Sequence, residues 1–405
     1  MNTRTQMNSA SDRRRARAIA TVGRATLCCA LAALTVVSAH ATPREQAKRI
    51  HERLTGIAPT DSVLSTMEAS VAGGNPAAAA MTAMTAPTFY TVTLKNFVTP
   101  WTNRDQTVFA PLNDYTATVI GMVRDDVPFN TVLSADIIYT GRGGLAGVPA
   151  YSPANNDHFA ALESQNVNLA STTDFVRQTQ SALTGIPAAA TAGIITTRAA
   201  AEAFFIAGTN RAMFRFTLMN HLCRDMEQVL DTSRPPDRIR QDVSRSPGGD
   251  ARIFLNNCIG CHSGMDPMAQ AFAFYTYDEA QGRILYTAGA VQPKYFNNDT
   301  TFPFGFVTPN ENWENRWRAG QNALLGWSPS LPGSGSGAKS LGDELAGSDA
   351  FAQCHVEKVF RNVCFRAPVD AADRAQVSSM VSSFRSSGFR LKQVFAEAAA
   401  YCMGD

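Results

Sequence analysis

Cys258-Ile259-Gly260-Cys261-His262 sets two thiols three residues apart, with an imidazole directly after the second. On a helix, positions i, i+3 and i+4 share one face. Two thiols so placed can add across the two vinyl groups of a single porphyrin. The histidine then sits beneath the iron and supplies its proximal nitrogen. This C-x-x-C-H spacing is the pattern of c-type haem attachment. Cys258 and Cys261 are therefore the candidate haem-binding residues and His262 the candidate metal ligand, and the expected cofactor is one covalently attached haem c. Residues 250–257 read as a helical approach, with Ile253, Phe254 and Leu255 as apolar contacts. Pro267 biases Asp266 away from the helical region, so the helix is expected to end soon after His262.

Three other readings compete for the same pair. A zinc site needs two further ligands, and no second C-x-x-C or H-x3-H is present. A thiol-disulfide redox pair usually follows a strand in an α/β pattern, whereas the flanks here look helical. A structural disulfide is the third. An export signal together with the adjacent histidine favours haem.

That signal occupies the first 41 residues. A basic stretch at 13–17 precedes an apolar run at 27–37, and Ala39-His40-Ala41 offers small residues for cleavage after Ala41. The apolar run falls short of the ~20 residues a span requires. Arg13-Arg14 hints at twin-arginine export, but that motif is incomplete. Later segments reach no membrane-spanning length without charges or prolines. The mature chain is expected in the periplasm or outside the cell, with no membrane span. Six of its 36 basic residues and one of its 34 acidic ones leave with the signal. The remaining balance of 30 to 33 leaves no basic patch, which argues against nucleic acid as partner. The 45% hydrophobic content is ordinary for a globular chain.

Six of eight cysteines remain after cleavage. With Cys258 and Cys261 assigned to haem, Cys223, Cys354, Cys364 and Cys402 are expected to pair in an oxidising compartment. Residues 349–364 read as one helix, which separates Cys354 from Cys364 by roughly 15 Å. A disulfide needs Cα atoms within about 7 Å, so these two should not join. Helices at 371–385 and 389–402 should return and then run parallel to the first. Cys364 then meets Cys402 at one end, leaving Cys354 for Cys223. The pairing Cys223–Cys364 with Cys354–Cys402 stays open.

Elsewhere the chain reads as mainly helical. A first helix spans 44–54, and Asp61 caps a second. Alanine-rich 72–86 is helix or linker. Residues 90–98 alternate briefly like a strand. Residues 113–122 and 130–139 look like short helices capped by asparagine. Gly141-Arg142-Gly143-Gly144-Leu145-Ala146 fits a nucleotide fingerprint, but Pro149 and Pro153 stand where its helix should run, so a glycine-rich loop is the ordinary reading. Residues 196–231 carry the strongest helical stripe, with Met213, Phe216, Met219, Leu222, Cys223, Met226, Val229 and Leu230. Phe272, Phe274, Tyr275 and Tyr277 could wall a haem pocket or fill a core. Three helices close the chain. The expected organisation is a signal at 1–41, a helical region at 42–195 and a haem-binding cytochrome c-like module at 196–405.

The segment CIGCHSGMDP at 258–267 resembles the haem segment of bacterial exported cytochrome c-containing domain families of unknown function, of the planctomycete and myxobacterial type. Their C-x-x-C-H is followed by a hydrophobe-Asp-Pro step, here Met265-Asp266-Pro267. RIHERLTGIAP at 49–59 resembles their opening helix and turn, and FAQCHVEKVFRNVCFR at 351–366 their closing helix. Two features depart from the pattern: Met268 to Phe272 replaces a glycine-phenylalanine step, and 287–340 is longer than the usual connection. The resemblance implies a helical, exported haem protein and supplies no enzymatic activity. The expected function is a mono-haem electron carrier, alone or as the haem domain of a periplasmic redox complex, with a periplasmic redox protein as partner. An open-site haem enzyme acting on peroxide and a thiol-disulfide oxidoreductase are the alternatives. The distal ligand is open among Met380, His355, Met403 and Met219, or none.

Overall fold

Ala47, Ile50 and Leu54 recur at helical spacing and are buried on α1 (Pro43–Thr55). Thr60, rather than Asp61, caps α2 (Asp61–Ala72): its side chain accepts from Val63 N, and Asp61 is the first helical residue. There its carboxylate suits the positive end of the helix dipole. Asn75 caps α3 (Pro76–Ala83), with proline at the first helical position, so the alanine-rich stretch is helix. The structure is a computed structural model that describes residues 41–206, 210–238, 252, 254–293, 295 and 306–404. The expected signal therefore lies outside the described residues, apart from Ala41.

Residues 90–98 are not a strand. A π-helical turn at Phe89–Leu94 leads into α4 (Lys95–Val98). The buried set Phe89, Tyr90, Leu94, Phe97 and Val98 follows a helical period that the short alternation concealed. Asn113 caps α5 (Asp114–Arg124) through Thr116 N, and every residue of α5 is buried. A helix covered on all sides belongs to the middle of a core. The helix expected at 130–139 is instead a 3-10 turn at Phe129–Thr131 followed by β1 (Ile138–Gly141). Ile138 and Thr140 are β-branched, and β1 finds an antiparallel partner, Ile138 opposite Gln178 and Gly141 opposite Phe175. Between them lie a loop through the glycine-rich stretch and α6 (Asp157–Ser164). The partner strand is β2 (Phe175–Gln178), and α7 (Gln180–Thr184) follows it.

The long stripe at 196–231 is broken. α8 (Arg198–Phe204) and α9 (Arg211–His221) are separate helices, and Cys223 leaves α9 at φ 53°. Asn210 starts α9 from the left-handed region (φ 58°), and its amide donates to Phe272 O and Tyr275 O. These bonds repay a conformation that non-glycine residues seldom adopt. Residue spacing alone could not reveal the break, because both helices present apolar faces to one core.

α10 (Ile259–Ala269) carries the C-x-x-C-H residues. Hairpin strands β3 (Tyr275–Asp278) and β4 (Arg283–Tyr286) come next, and β5 (Asn312–Glu314) pairs with β6 (Ser334–Ser336). α11 (Gly337–Ala346) leads to the closing helices α12 (Asp349–Cys364), α13 (Ala371–Ser386) and α14 (Leu391–Tyr401). Disulfides join Cys223 to Cys354 and Cys364 to Cys402, with Cα atoms 5.3 and 5.5 Å apart.

Residues Pro43–Gly404 form one compact unit, so no unit boundary falls at 195/196. The reason is that the two ends of the chain share a core. α14 packs on α3 and α1, and Phe395 meets Phe89 and Phe97 edge to face. Arg49 and Gln46 of α1 donate to the carbonyls of Met403 and Gly404. The fold is mainly helical, and among the described residues no helix is long and apolar enough to cross a membrane.

Candidate functional site

A π-helical turn, Phe254–Cys258, delivers Cys258 to the start of α10. The approach expected at 250–257 lies partly outside the described residues. α10 does not end after His262. It continues through Pro267 to Ala269. Proline removes one helical N–H. The two residues on either side of it are nevertheless fixed, Asp266 by ionic hydrogen bonds and Met268 by complete burial.

The rear of α10 is sealed. Asp231 N donates to Gly260 O at 2.9 Å, and Ser263 Oγ donates to Asp231 O at 2.9 Å. Gly264 lies against the fully buried Trp317. The opposite face presents Cys258, Cys261 and His262, each only partly buried. Both thiols are free, whereas Cys223, Cys354, Cys364 and Cys402 are bonded in pairs. Cys261 Sγ lies 3.5 Å from Met226 O.

His262 Nδ1 lies 3.1 and 3.2 Å from the two carboxylate oxygens of Asp266, one helical turn on. Asp266 is fully buried and also accepts from Arg211 Nε at 2.8 Å and from its terminal nitrogen at 2.6 Å. Burial alone would raise this carboxyl, but the charge of Arg211 and its bond to His262 hold it below the usual range. With Nδ1 engaged by Asp266, Nε2 is the ring nitrogen that would serve as a metal ligand. Sequence reading placed Asp266 before a proline and within the hydrophobe-Asp-Pro step, with no contact to His262. The i,i+4 spacing from His262 was the signal available. Arg211, 55 residues away, left none.

The donor set fits haem c. Two thiols and one imidazole share a face, and a second-shell carboxylate fixes the imidazole tautomer. It fits a thiol-disulfide centre less well. Burial, aided by Cys258, Glu227 and Asp225, raises the Cys261 thiol, whereas redox cysteines have lowered values. Among the described residues no cluster of three or more His, Cys, Asp or Glu is arranged to hold a metal ion, so a zinc site lacks its further ligands.

The aromatic residues after α10 mostly fill a core. Phe272 and Tyr275 pack on Phe205, and Tyr277 stacks beside Arg198. The distal candidates are dispersed. Met219 is partly buried on α9, which packs on α10. Met380 is fully buried on α13, and Met403 lies beside α1 at the C-terminal end. His355 is buried on α12 with Nε2 3.2 Å from His221 Nδ1.

The two glycines of α10 make a testable contrast. A Cβ at Gly264 would stand 1.9 Å from Trp317 Nε1, on a ring that cannot move outward. Gly264→Ala should therefore destabilise the protein by about 2–3 kcal/mol despite a gain near 1 kcal/mol in helix propensity. A Cβ at Gly260 would meet mainly the side-chain end of Leu230, which is 41% exposed and free to swing away. Gly260→Ala should change stability by under about 1 kcal/mol. Urea unfolding of both variants checks the order, and equal losses would refute this packing.

Comparison with known proteins finds no matching family model, no similar curated protein and no similar solved structure.

Proposed function

We propose that this chain is an exported mono-haem c-type cytochrome that carries electrons, alone or as the haem domain of a periplasmic redox complex. The observation that carries the reading is the face of α10. There Cys258 and Cys261 are free while the other four described cysteines are paired, and His262 is oriented through Nδ1 by buried Asp266. The resemblance of 258–267 to exported cytochrome c-containing domains points the same way.

In this reading Cys258 and Cys261 bind the porphyrin covalently and His262 Nε2 is the proximal ligand. The haem supplies a reversible one-electron couple between ferric and ferrous iron. The protein's part is to hold the macrocycle at two points and the imidazole at a third, so little rearranges when the charge changes. A periplasmic redox protein would be the partner.

Expression with export and c-type maturation should give a protein heavier than residues 42–405 by one haem, with the chromophore surviving acid-acetone extraction. Cys261→Ala should abolish normal attachment. An extractable chromophore, or none, would overturn the proposal.

The second reading is a haem enzyme with an open distal position. Asp266 favours it, because a carboxylate on Nδ1 makes the imidazole a stronger donor and stabilises oxidised metal. A high-spin ferric spectrum with peroxide turnover would select the enzyme, and a low-spin six-coordinate spectrum the carrier.

A further inference from the structure

Asp266 is placed to act on the iron through His262, and Arg211 is placed to moderate it. We propose that this buried Arg211–Asp266–His262 series sets the reduction potential of the site, Asp266 lowering it and Arg211 raising it. The inference rests on the haem reading above and adds two positioning residues that the C-x-x-C-H motif does not contain.

The geometry argues for a carboxylate at work rather than a passive brace. Nδ1 stands nearly equidistant from both oxygens of Asp266, at 3.1 and 3.2 Å. The carboxylate has no exposure to water, so its charge is poorly screened. An ionised acceptor draws the Nδ1 proton toward itself and leaves more electron density on Nε2. A richer donor favours ferric over ferrous iron, which lowers the potential.

Arg211 opposes this. It forms a two-pronged bond to the same carboxylate, at 2.8 and 2.6 Å, and so competes for the charge His262 would otherwise feel. Its side chain is 26% exposed, so water reaches the cation while the anion stays dry. Arg211 opens α9, which ends at His221 two residues before the disulfide-bonded Cys223, so its position is fixed by that helix.

The opposite signs make the test. Wild type, Asp266→Asn and Arg211→Gln are matured with haem and titrated spectroelectrochemically. Asp266→Asn keeps the shape but is neutral, and it should shift the ferrous-to-ferric ratio at a fixed potential about tenfold toward ferrous, a rise of about 59 mV. Arg211→Gln should move it the other way. Simple loosening of the site would admit water, which favours the more highly charged ferric state and lowers both. A shared sign, or no shift in either loaded variant, overturns the inference while leaving the haem reading intact. Should Asp266→Asn not load, Arg211→Lys, which keeps the cation, is titrated beside Arg211→Gln: a fall in Arg211→Gln that Arg211→Lys restores supports the inference, and any other result overturns it. A wild-type chain without covalent haem overturns the haem reading, and this inference with it.

Discussion

Replacing Cys223 and Cys354 by alanine should cost about 5 kcal/mol of stability, more than replacing Cys364 and Cys402. The first bridge closes a separation of 131 residues and the second one of 38. Loop-closure entropy grows with the logarithm of that length and gives about 5 and about 4 kcal/mol respectively. The first value rivals the whole stability of many domains, ~5–15 kcal/mol. The double-alanine variant at 223 and 354 should therefore be partly unfolded at 37 °C, whereas the other should stay folded. Denaturant unfolding under non-reducing conditions measures both. A larger loss at 364 and 402 would show that the denatured chain keeps structure across the long loop.

The same bridge matters to the candidate site. Cys223 follows α9 by two residues, and Cys354 lies inside α12. The bond therefore anchors the far end of the helix whose first residue, Arg211, holds Asp266. Losing it would weaken the tie of α9 to the closing helices, which Lys358 and His355 also hold, so under the haem proposal loading should fall with stability. Placement of the His262 imidazole is thus linked to a contact more than 90 residues further along the chain.

How much of this was legible depended on the distance over which each feature is encoded. The helix at Asp349–Cys364 was readable to the residue, because Ser348 caps it and its apolar positions repeat without interruption. The C-x-x-C-H spacing was legible because it is confined to five residues, and its three side chains do lie together, partly buried, at the start of α10. Strand β1 was not, since its partner lies 37 residues downstream and its own residues suit either state. The break before α9 was hidden because Asn210 adopts its left-handed backbone only with support from Phe272 and Tyr275. The continuation of α10 through Pro267 was hidden likewise, since Arg211 and His262 hold Asp266 against a local preference. Tertiary partners overrode propensity at each of these points.

Acidification below pH 6.5 should destabilise the protein through a buried histidine cluster that sequence reading did not foresee. Tyr115 Oη lies 2.9 Å from His221 Nε2, and His221 Nδ1 lies 3.2 Å from His355 Nε2. Trp101, Phe129 and Phe351 enclose the pair, and Lys358 donates to Asn220 O beside it. Burial, then the charge of Lys358, pulls His221 well below its ordinary value; for His355 the causes are burial, His221 and Lys358. The folded protein thus favours the neutral form of both rings, while in the unfolded chain each binds a proton below about 6.5. The unfolded state then holds more protons, so stability rises with pH and is lost as pH falls below 6.5. The slope reaches at most about 1.4 kcal/mol per pH unit for each imidazole. Lys358 extends the trend upward, because burial lowers it to about 7 and stability climbs from there toward 10.5. Asp114, raised by burial, works the opposite way above its ordinary range. Comparing wild type with His355→Leu cancels such contributions. The variant loses a bond to His221 and should be weaker at every pH, but its slope between pH 6.5 and 5 should be about half that of wild type. Equal slopes would mean that the pair is already protonated when folded.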